Sequence, residues 1–314
     1  MYSEISMKLG LLTACLPDLN LEQIATFAAD TGLESLEIAA WPRTGNRPFT
    51  ASHLDVTTMT EREAHATLAM LATKNLAISG VAYYDNNLHP DPTEREAVNA
   101  HVIACIDAAV LLGCSVVGTF VGRDPMKTVS ENLREAEQLF PHLVEYGGER
   151  GVRLAIENCP MEGWHPDGYP GNLAYSPELW EWMFSLGLYL NFDPSHPYWL
   201  GMDPAEAVRP YVNRVVHAQA KDLELFPERR NHYGFFGKAV VREDPWDVGW
   251  WRYRIPGFGQ VDWQRVIDAL YEGGFDGTLA IEHEDPVWGG TESRIKDGVR
   301  IATRKLRSVL APTA

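Results

Sequence analysis

Acidic and imidazole side chains stand at the ends of four predicted strands in the C-terminal half of the chain. Glu157 ends the apolar run 154–156, and Glu282 ends a second run with the same four letters, Leu-Ala-Ile-Glu. Asp193 follows a third predicted strand, and His217 lies within a fourth. A carboxylate in an apolar setting is costly unless it is paired, hydrogen-bonded or bound to a metal. These residues therefore predict one shared, charged site.

A divalent cation is the partner that this set of side chains favours. Carboxylates that crowd together in a pocket of low dielectric repel one another strongly. Three oxygens and one nitrogen suit a hard or borderline ion. We expect Mn²⁺ in the first place, with Mg²⁺, Co²⁺ or Zn²⁺ as alternatives.

Composition excludes several classes of partner. The chain has 314 residues and a formal net charge of −16, with no block of Lys or Arg. We therefore expect neither nucleic acid nor an anionic membrane as a partner. The first residues show no basic and apolar leader, and no window approaches ~18 apolar residues. We expect a cytoplasmic protein without a membrane span.

The cysteines show no pattern of a disulfide framework or a thiol metal site. None of them forms a Cys-x-x-Cys pair, so reduced and mostly buried thiols are expected. They are Cys15, Cys105, Cys114 and Cys159.

Strand and helix patterns alternate along the whole chain and give eight strand–helix units. Such alternation predicts a parallel sheet. Eight units favour an α/β fold of the (β/α)8 TIM barrel type, built as a single domain over residues 1–314. No Gly-x-Gly-x-x-Gly follows the first strand, which disfavours a dinucleotide-binding fold. In a parallel barrel the carboxyl ends of the strands meet on one face, where barrel enzymes keep their active sites.

Helix starts are predicted from capping residues. Asn20 is expected to cap the first helix. The pairs Thr60 with Glu63, and Thr93 with Glu96, predict capping boxes for the next two helices, and Ser130 is expected to cap the fourth.

A long segment rich in aromatic residues and arginine follows the seventh predicted strand. It spans residues 223–260. Insertions of this length are usually functional lids or interfaces. Aromatic side chains suit both the apolar faces of sugar rings and a subunit contact. The two readings stay open: a lid over the site, or a homo-oligomer contact.

The motifs resemble those of the xylose-isomerase-like TIM barrel superfamily, the sugar phosphate isomerase/epimerase family. The matching segments are 156–158, 193–196, 217–222, 257–259 and 281–282. The resemblance implies that Glu157, Asp193, His217 and Glu282 bind the metal. It also implies that the two Glu side chains face the substrate from opposite sides, and that His196 holds a substrate hydroxyl or carbonyl.

The chemistry that follows is proton abstraction next to a carbonyl of a sugar or keto-sugar, through a metal-stabilised enediolate. Glu157 and Glu282 would remove and return the proton, which gives epimerisation or isomerisation. If a leaving group lies β to the acidified carbon, the same intermediate expels it. That alternative is a lyase or deglycosidase acting on a 3-keto sugar or glycoside, with Lys221, His196 or His165 as the acid. Lys221 as a plain ion-pair partner of Asp222 is the competing interpretation.

Further side chains at strand ends or in the insertion are expected to contact the substrate. They are His165, Trp41, Tyr84 and Arg252, beside His196. Two other classes stay open: a barrel that cuts abasic DNA, which the net charge disfavours, and a catalytically inactive sugar-binding barrel.

Overall fold

Parallel strands close into a barrel in the computed structural model, which describes residues 6–43, 51–166, 170–240, 242–244 and 246–310. The strands of the described residues are β1 (Lys8–Leu12), β2 (Ser35–Ala39), β3 (Ala77–Ala82), β4 (Val116–Thr119), β5 (Arg153–Glu157), β6 (Tyr189–Phe192), β7 (Val215–Ala220), β8 (Asp222–Leu225), β9 (Trp251–Arg254) and β10 (Thr278–Ile281). The closed order is β1-β10-β7-β6-β5-β4-β3-β2, and β8 pairs with β9 in a separate antiparallel ribbon. The predicted TIM barrel is confirmed.

Helices follow the strands, and most of them pack around the outside of the barrel. They are α1 (Leu21–Asp30), α2 (Glu61–Ala72), α3 (Pro92–Leu111), α4 (Val129–Gly148), α5 (Pro177–Ser185), α6 (Ser195–Trp199), α7 (Pro204–Val208), α8 (Pro227–Tyr233), α9 (Trp263–Glu272) and α10 (Glu292–Arg307). Among the described residues, none of these helices combines the length and apolar character needed to span a bilayer.

Helix caps follow the sequence prediction at the first two helices. The Asn20 side chain accepts a hydrogen bond from the Gln23 N–H at 2.9 Å, and Thr60 forms the predicted box with Glu63. The prediction for Thr93 is wrong, because Asp91 caps α3 ahead of Pro92, which has no N–H to satisfy.

The prediction for Ser130 is also wrong. Thr128 caps α4 and forms a reciprocal box with Glu131. Both side chains of this box accept hydrogen bonds from backbone N–H groups at the helix start. A single serine two residues later does not provide this pair of hydrogen bonds.

Strand β5 illustrates how the barrel core is built. Its residues 154–156 are 0–2% exposed, as expected for a parallel strand covered on both faces. Charge is confined to the strand ends: Arg153 at the start is exposed, whereas Glu157 at the end is buried. The Glu157 carboxylate therefore lies at the C-terminal face of the barrel.

The insertion after β7 folds over that face. Strands β8 and β9 form its base, and a small apolar cluster fixes it to α6. The cluster consists of Trp199, Leu223, Val248, Trp250 and Trp251. The segment therefore has a packed core of its own and lies at the mouth of the barrel. The predicted contact between copies of the chain stays a prediction.

Asp222 ties the two ends of the insertion together. Its carboxylate accepts hydrogen bonds from the N–H of Gly257 at 2.9 Å, the N–H of Val261 at 3.0 Å and the indole of Trp263 at 2.9 Å. A Cβ on Gly259 would lie 2.1 Å from the Asp222 Oδ1 atom, which explains a glycine there. Asp222 is thus engaged by the insertion, and the interpretation of Lys221 as its ion-pair partner is wrong.

Candidate active site

Three buried carboxylates meet at the C-terminal face of the barrel. Glu157 ends β5, Asp193 follows β6, and Glu282 follows β10. One oxygen from each of them lies within 4.8 Å of the others. The exposed fractions are 3%, 0% and 8%, so water screens their mutual repulsion poorly. This group, called the carboxylate triad below, needs positive charge.

Lys221 supplies part of that charge from the end of β7. Its ammonium lies 3.2 Å from Asp193 Oδ2, 3.1 Å from Glu282 Oε1 and 3.2 Å from Glu284 Oε2. It also lies 4.5 Å from the centre of the Tyr253 ring. Burial opposes the charged form, but Glu282, Glu284 and Asp193 raise the pKa of Lys221 well above its usual value. The lysine is therefore a buried cation.

The pKa values of the three triad carboxyl groups shift in different directions in this surrounding. Burial raises the pKa of Glu157 and the pKa of Glu282, although Lys221 opposes both shifts. Burial acts in the same direction on Asp193, but the charges of Lys221 and His196 hold the pKa of Asp193 at about 2. Asp193 is therefore the permanently ionised member, whereas the two glutamates are better proton acceptors than ordinary carboxylates.

His196 lies behind the triad. Its Nε2 atom is 3.1 Å from Glu157 Oε1 and 3.2 Å from Asp193 Oδ2, and Nδ1 is 3.4 Å from the Tyr253 hydroxyl. The side chain is 0% exposed and is absent from the lining of the cavity described below. In this structure His196 contacts the two carboxylates, where the sequence predicted a substrate contact.

Two asparagines outside the set of predicted site residues hold the triad in place. Asn158 forms two hydrogen bonds to the backbone of Asp193, so it joins the ends of β5 and β6. Asn172 donates to the carbonyls of Glu157 at 3.1 Å and Cys159 at 2.8 Å. The position of Asn158 directly after Glu157 could have identified it from the sequence. Asn172 lies in a loop, and no sequence feature identifies it.

His217 does not reach the carboxylate triad. Its ring contacts Asn191 Oδ1 at 3.0 Å and Ser79 Oγ at 3.1 Å, and burial lowers the pKa of His217 to about 3. The physical reason is height along the strand. At ~3.3 Å per residue, position 217 lies about 13 Å below position 221. The structure therefore places this predicted ligand in the barrel interior.

A polar network fills the layer between His217 and the triad. The Tyr84 hydroxyl donates to Glu37 and accepts from Asn191 at 2.6 Å. The Gln219 amide donates to Glu37 at 3.2 Å, and Gln219 Oε1 is buried without a hydrogen-bond partner among the described residues. Burial raises the pKa of Glu37 to about 7. Neither Glu37 nor Gln219 was among the predicted site residues.

A cavity of about 460 Å³ opens above the triad, a size that suits a small-molecule ligand. Glu157, Lys221 and Glu282 lie in its lining. Aromatic and apolar side chains make most of the remaining wall: Leu12, Ala14, Trp41, Tyr84, Phe120, Met161, Trp246, Trp251 and Tyr253.

Three of the four residues predicted to contact the substrate beside His196 line this cavity. Trp41, Tyr84 and Arg252 lie in its lining, and His165 does not. Arg252 also pairs with Glu224 at 2.7 Å. Because Trp246 and Trp251 come from the insertion, residues 223–260 form part of the cavity wall.

The donor set fits a divalent cation. The carboxylate triad offers the oxygen ligands that hard cations take. Glu282 Oε2 and Gln219 Oε1 are both buried and lack hydrogen-bond partners within the described part of the chain. Buried polar atoms are rarely left unsatisfied, and an ion is one of the groups that satisfies them.

Residues 25–306 match the family of xylose isomerase-like TIM barrels. The chain belongs to this family. It is 25% identical over 308 residues to the uncharacterized protein YfiH of Bacillus subtilis (strain 168), a match that covers 89% of this chain and 93% of YfiH. It is 31% identical over 102 residues to inosose dehydratase of Clostridium botulinum (strain Alaska E43 / Type E3), covering 32% of each chain.

Solved structures of the same fold cover nearly the whole chain. A D-psicose 3-epimerase from Clostridium cellulolyticum H10, with D-tagatose, superposes with a TM-score of 0.68 at 15% identity, covering 98% of this chain and 100% of the epimerase. The IolI protein with a bound zinc atom superposes with a TM-score of 0.67 at 17% identity and covers 96% of each chain. Solved structures with this fold thus include an epimerase and a protein with a bound zinc atom.

Proposed function

We propose that this xylose isomerase-like barrel is a divalent-metal-dependent sugar isomerase or epimerase. Its substrate would be a sugar or keto-sugar with an acidic C–H next to a carbonyl. One observation carries the proposal: the carboxylate triad lies at the floor of an aromatic-walled cavity, with two of its members in the lining. The epimerase among the structural relatives agrees with this reaction class.

Glu157, Asp193 and Glu282 would hold the cation, and Gln219 Oε1 is a buried oxygen without a hydrogen-bond partner among the described residues. A bound divalent ion supplies Lewis acidity toward a carbonyl and its neighbouring hydroxyl. We expect Mn²⁺ because the ligands are oxygens. The zinc of the IolI protein supports a divalent ion in this family without fixing its identity here.

Glu157 and Glu282 would move the proton. Both line the cavity, and a carboxylate that binds the ion through one oxygen would leave its other oxygen free to take the proton. They come from β5 and from the end of β10, so they approach a ligand from different sides of the barrel mouth. Removal by one and return by the other inverts a stereocentre. Return by the same carboxylate to the adjacent carbon gives isomerisation.

Elimination is the second candidate, and Lys221 favours it. The ammonium lies in the cavity lining beside Glu282 and Glu284, so it can protonate a departing oxygen. The similarity to inosose dehydratases over about a third of the chain points to the same class. On this reading the enzyme is a lyase or deglycosidase acting on a 3-keto sugar or glycoside.

Proton exchange in D₂O distinguishes the two candidates. Metal-loaded protein is incubated with keto-sugars and 3-keto-glycosides and followed by NMR. Deuterium uptake into an intact carbon skeleton supports the isomerase or epimerase, whereas release of water or an aglycone supports the lyase. Glu282→Gln should abolish exchange. Glu272→Gln, on the exposed surface next to Arg209, is the matched control. No exchange and no release with any substrate would contradict both.

A further inference from the structure

A second group of ligand atoms lies beside the carboxylate triad. Glu157, Cys159 and His196 each offer one atom, and these atoms lie within 4.8 Å of one another. All three residues are buried, at 3%, 7% and 0% exposure. Cys159 also lies in the lining of the cavity, so a small ion can reach its thiol. We call these residues the thiol cluster.

The loop after β5 holds the sulfur in this position. Asn172 binds the Cys159 carbonyl at 2.8 Å, and the N–H of Met161 donates to Cys159 Sγ at 3.4 Å. The Met161 Sδ atom lies 3.4 Å from the same sulfur. Both sulfur-bearing residues line the cavity. The loop thus presents a thiol and a thioether together on one wall.

An unsatisfied acid lies in the same segment after β5. Glu162 is 2% exposed and lines the cavity, and its Oε2 atom has no hydrogen-bond partner within the described residues. Burial raises the pKa of Glu162, and the nearby charge of His196 lowers it. A buried carboxylate oxygen without a partner is costly unless a proton or a cation satisfies it. Glu162 is thus a second buried group in the cavity lining that a cation would satisfy.

We propose that the thiol cluster is a second cation position, and that it takes a borderline ion such as Zn²⁺ or Co²⁺. Thiolate, imidazole and carboxylate are the ligands that zinc prefers, with soft sulfur setting the choice. The carboxylate triad offers oxygen alone and suits a harder ion. Glu157 belongs to both groups, so one carboxylate bridges the two positions, as in sites with ions ~3.5–4 Å apart.

Binding exchanges protons for the ion. Burial raises the pKa of the Cys159 thiol to about 12, so the ion-free protein holds the sulfur protonated. The ion forms bonds to the Cys159 sulfur and to one ring nitrogen of His196, the S–H bond and the imidazolium N–H bond break, and both protons leave to solvent. No oxidation or reduction takes part.

Cobalt spectroscopy tests the second position without reference to any sugar reaction. Chelator-treated protein is titrated with Co²⁺ while the sulfur-to-cobalt charge-transfer absorption is recorded. We expect this band in the wild type, and we expect Cys159→Ser to abolish it and to bind one ion fewer per chain. Cys114→Ser should keep the band, because that buried thiol bonds to the Val116 carbonyl away from the cluster.

The outcomes separate this inference from the proposed function. Glu282→Gln should keep the band, since Glu282 is not in the thiol cluster, while sugar exchange is lost. A wild-type protein saturated with Co²⁺ that shows no band overturns the second position, whatever its activity. A band that survives in both Cys159→Ser and Cys159→Ala, with circular dichroism confirming that both fold, overturns it as well.

Discussion

The side chain of Asn158 makes two hydrogen bonds to the backbone of one residue, Asp193. Its Nδ2 donates to the Asp193 carbonyl at 2.9 Å, and its Oδ1 accepts from the Asp193 N–H at 2.7 Å. The residue that follows one triad glutamate therefore fixes the triad aspartate on the next strand. The distance between the two carboxylates is set by this clamp as much as by the barrel itself.

Loss of the clamp should weaken cation binding. Asn158→Ala is expected to lower Mn²⁺ affinity by roughly 10–100-fold, the usual effect of removing a group that orients a metal ligand. Isothermal titration calorimetry with chelator-treated protein measures it. Asn99→Ala, whose amide bonds to backbone carbonyls at the start of α3, is the control. Equal affinities for the two variants would rule out a role for Asn158 in positioning Asp193.

Lys221 and a divalent cation should substitute for one another. Lys221→Met leaves the triad without its ammonium, and we expect a loss of about 3 kcal/mol in the free energy of unfolding without metal. Mn²⁺ should then stabilise this variant more than the wild type, because the ammonium no longer competes for Asp193 and Glu282.

Urea unfolding with and without Mn²⁺ measures this difference. Lys127→Met removes a partly exposed ion pair with Glu135 and should cost little, with the same gain from Mn²⁺ as the wild type. If Lys221→Met and the wild type gain equally from Mn²⁺, the ammonium and the ion do not share the triad.

Trp246 of the insertion depends on a glycine in the loop after β5. A Cβ at Gly163 would lie 2.6 Å from two atoms of the Trp246 indole. Gly163→Ala should therefore displace this wall of the cavity and cost about 1–3 kcal/mol in the free energy of unfolding. Gly148→Ala, where a Cβ meets nothing within 4 Å, is the control and should be neutral or stabilising.

Tryptophan fluorescence and urea unfolding report on this pair of variants. If Gly163→Ala has the stability and the emission spectrum of the wild type, then Trp246 does not pack on residue 163 in solution.

Protonation of His53 should loosen the segment that carries Trp41. His53 Nδ1 lies 2.9 Å from Thr13 Oγ1, and the N–H of His53 donates to the Ala39 carbonyl. Burial lowers the pKa of His53 below its value in the unfolded chain. The folded state therefore binds its proton less readily, so this contribution to stability is present above about pH 6.5 and is lost as pH falls toward the folded pKa.

Unfolding by urea between pH 5 and 8 checks this sign. The wild type should lose more stability on acidification than His53→Gln, whereas His65→Gln, on the exposed face of α2, should follow the wild type. A His53→Gln variant with the same pH profile as the wild type would contradict the assignment.

Local patterns were enough to predict the barrel. The apolar run before Glu157 and the alternation of strands with capped helices require only short-range information. The carboxylate triad could also be predicted from the sequence, because strand ends in a parallel barrel converge. The error at His217 shows the limit of prediction from local patterns. Alternation along a strand indicates which face a side chain takes, but the position of that side chain along the barrel axis depends on the register between strands. The role of Asn172 depends on contacts between distant segments and has no local signature. Lys221 was a candidate because it follows a strand, but its contacts to Asp193 and Glu282 could not be read from the sequence.

Anomalous diffraction from crystals soaked in Mn²⁺ tests the central claim most directly. The account predicts a manganese peak in contact with Glu157, Asp193 and Glu282, with the Lys221 ammonium moved away from the triad toward Glu284. Crystals at saturating Mn²⁺ with no peak at the triad, and with Lys221 still bound to Asp193 and Glu282, would contradict it.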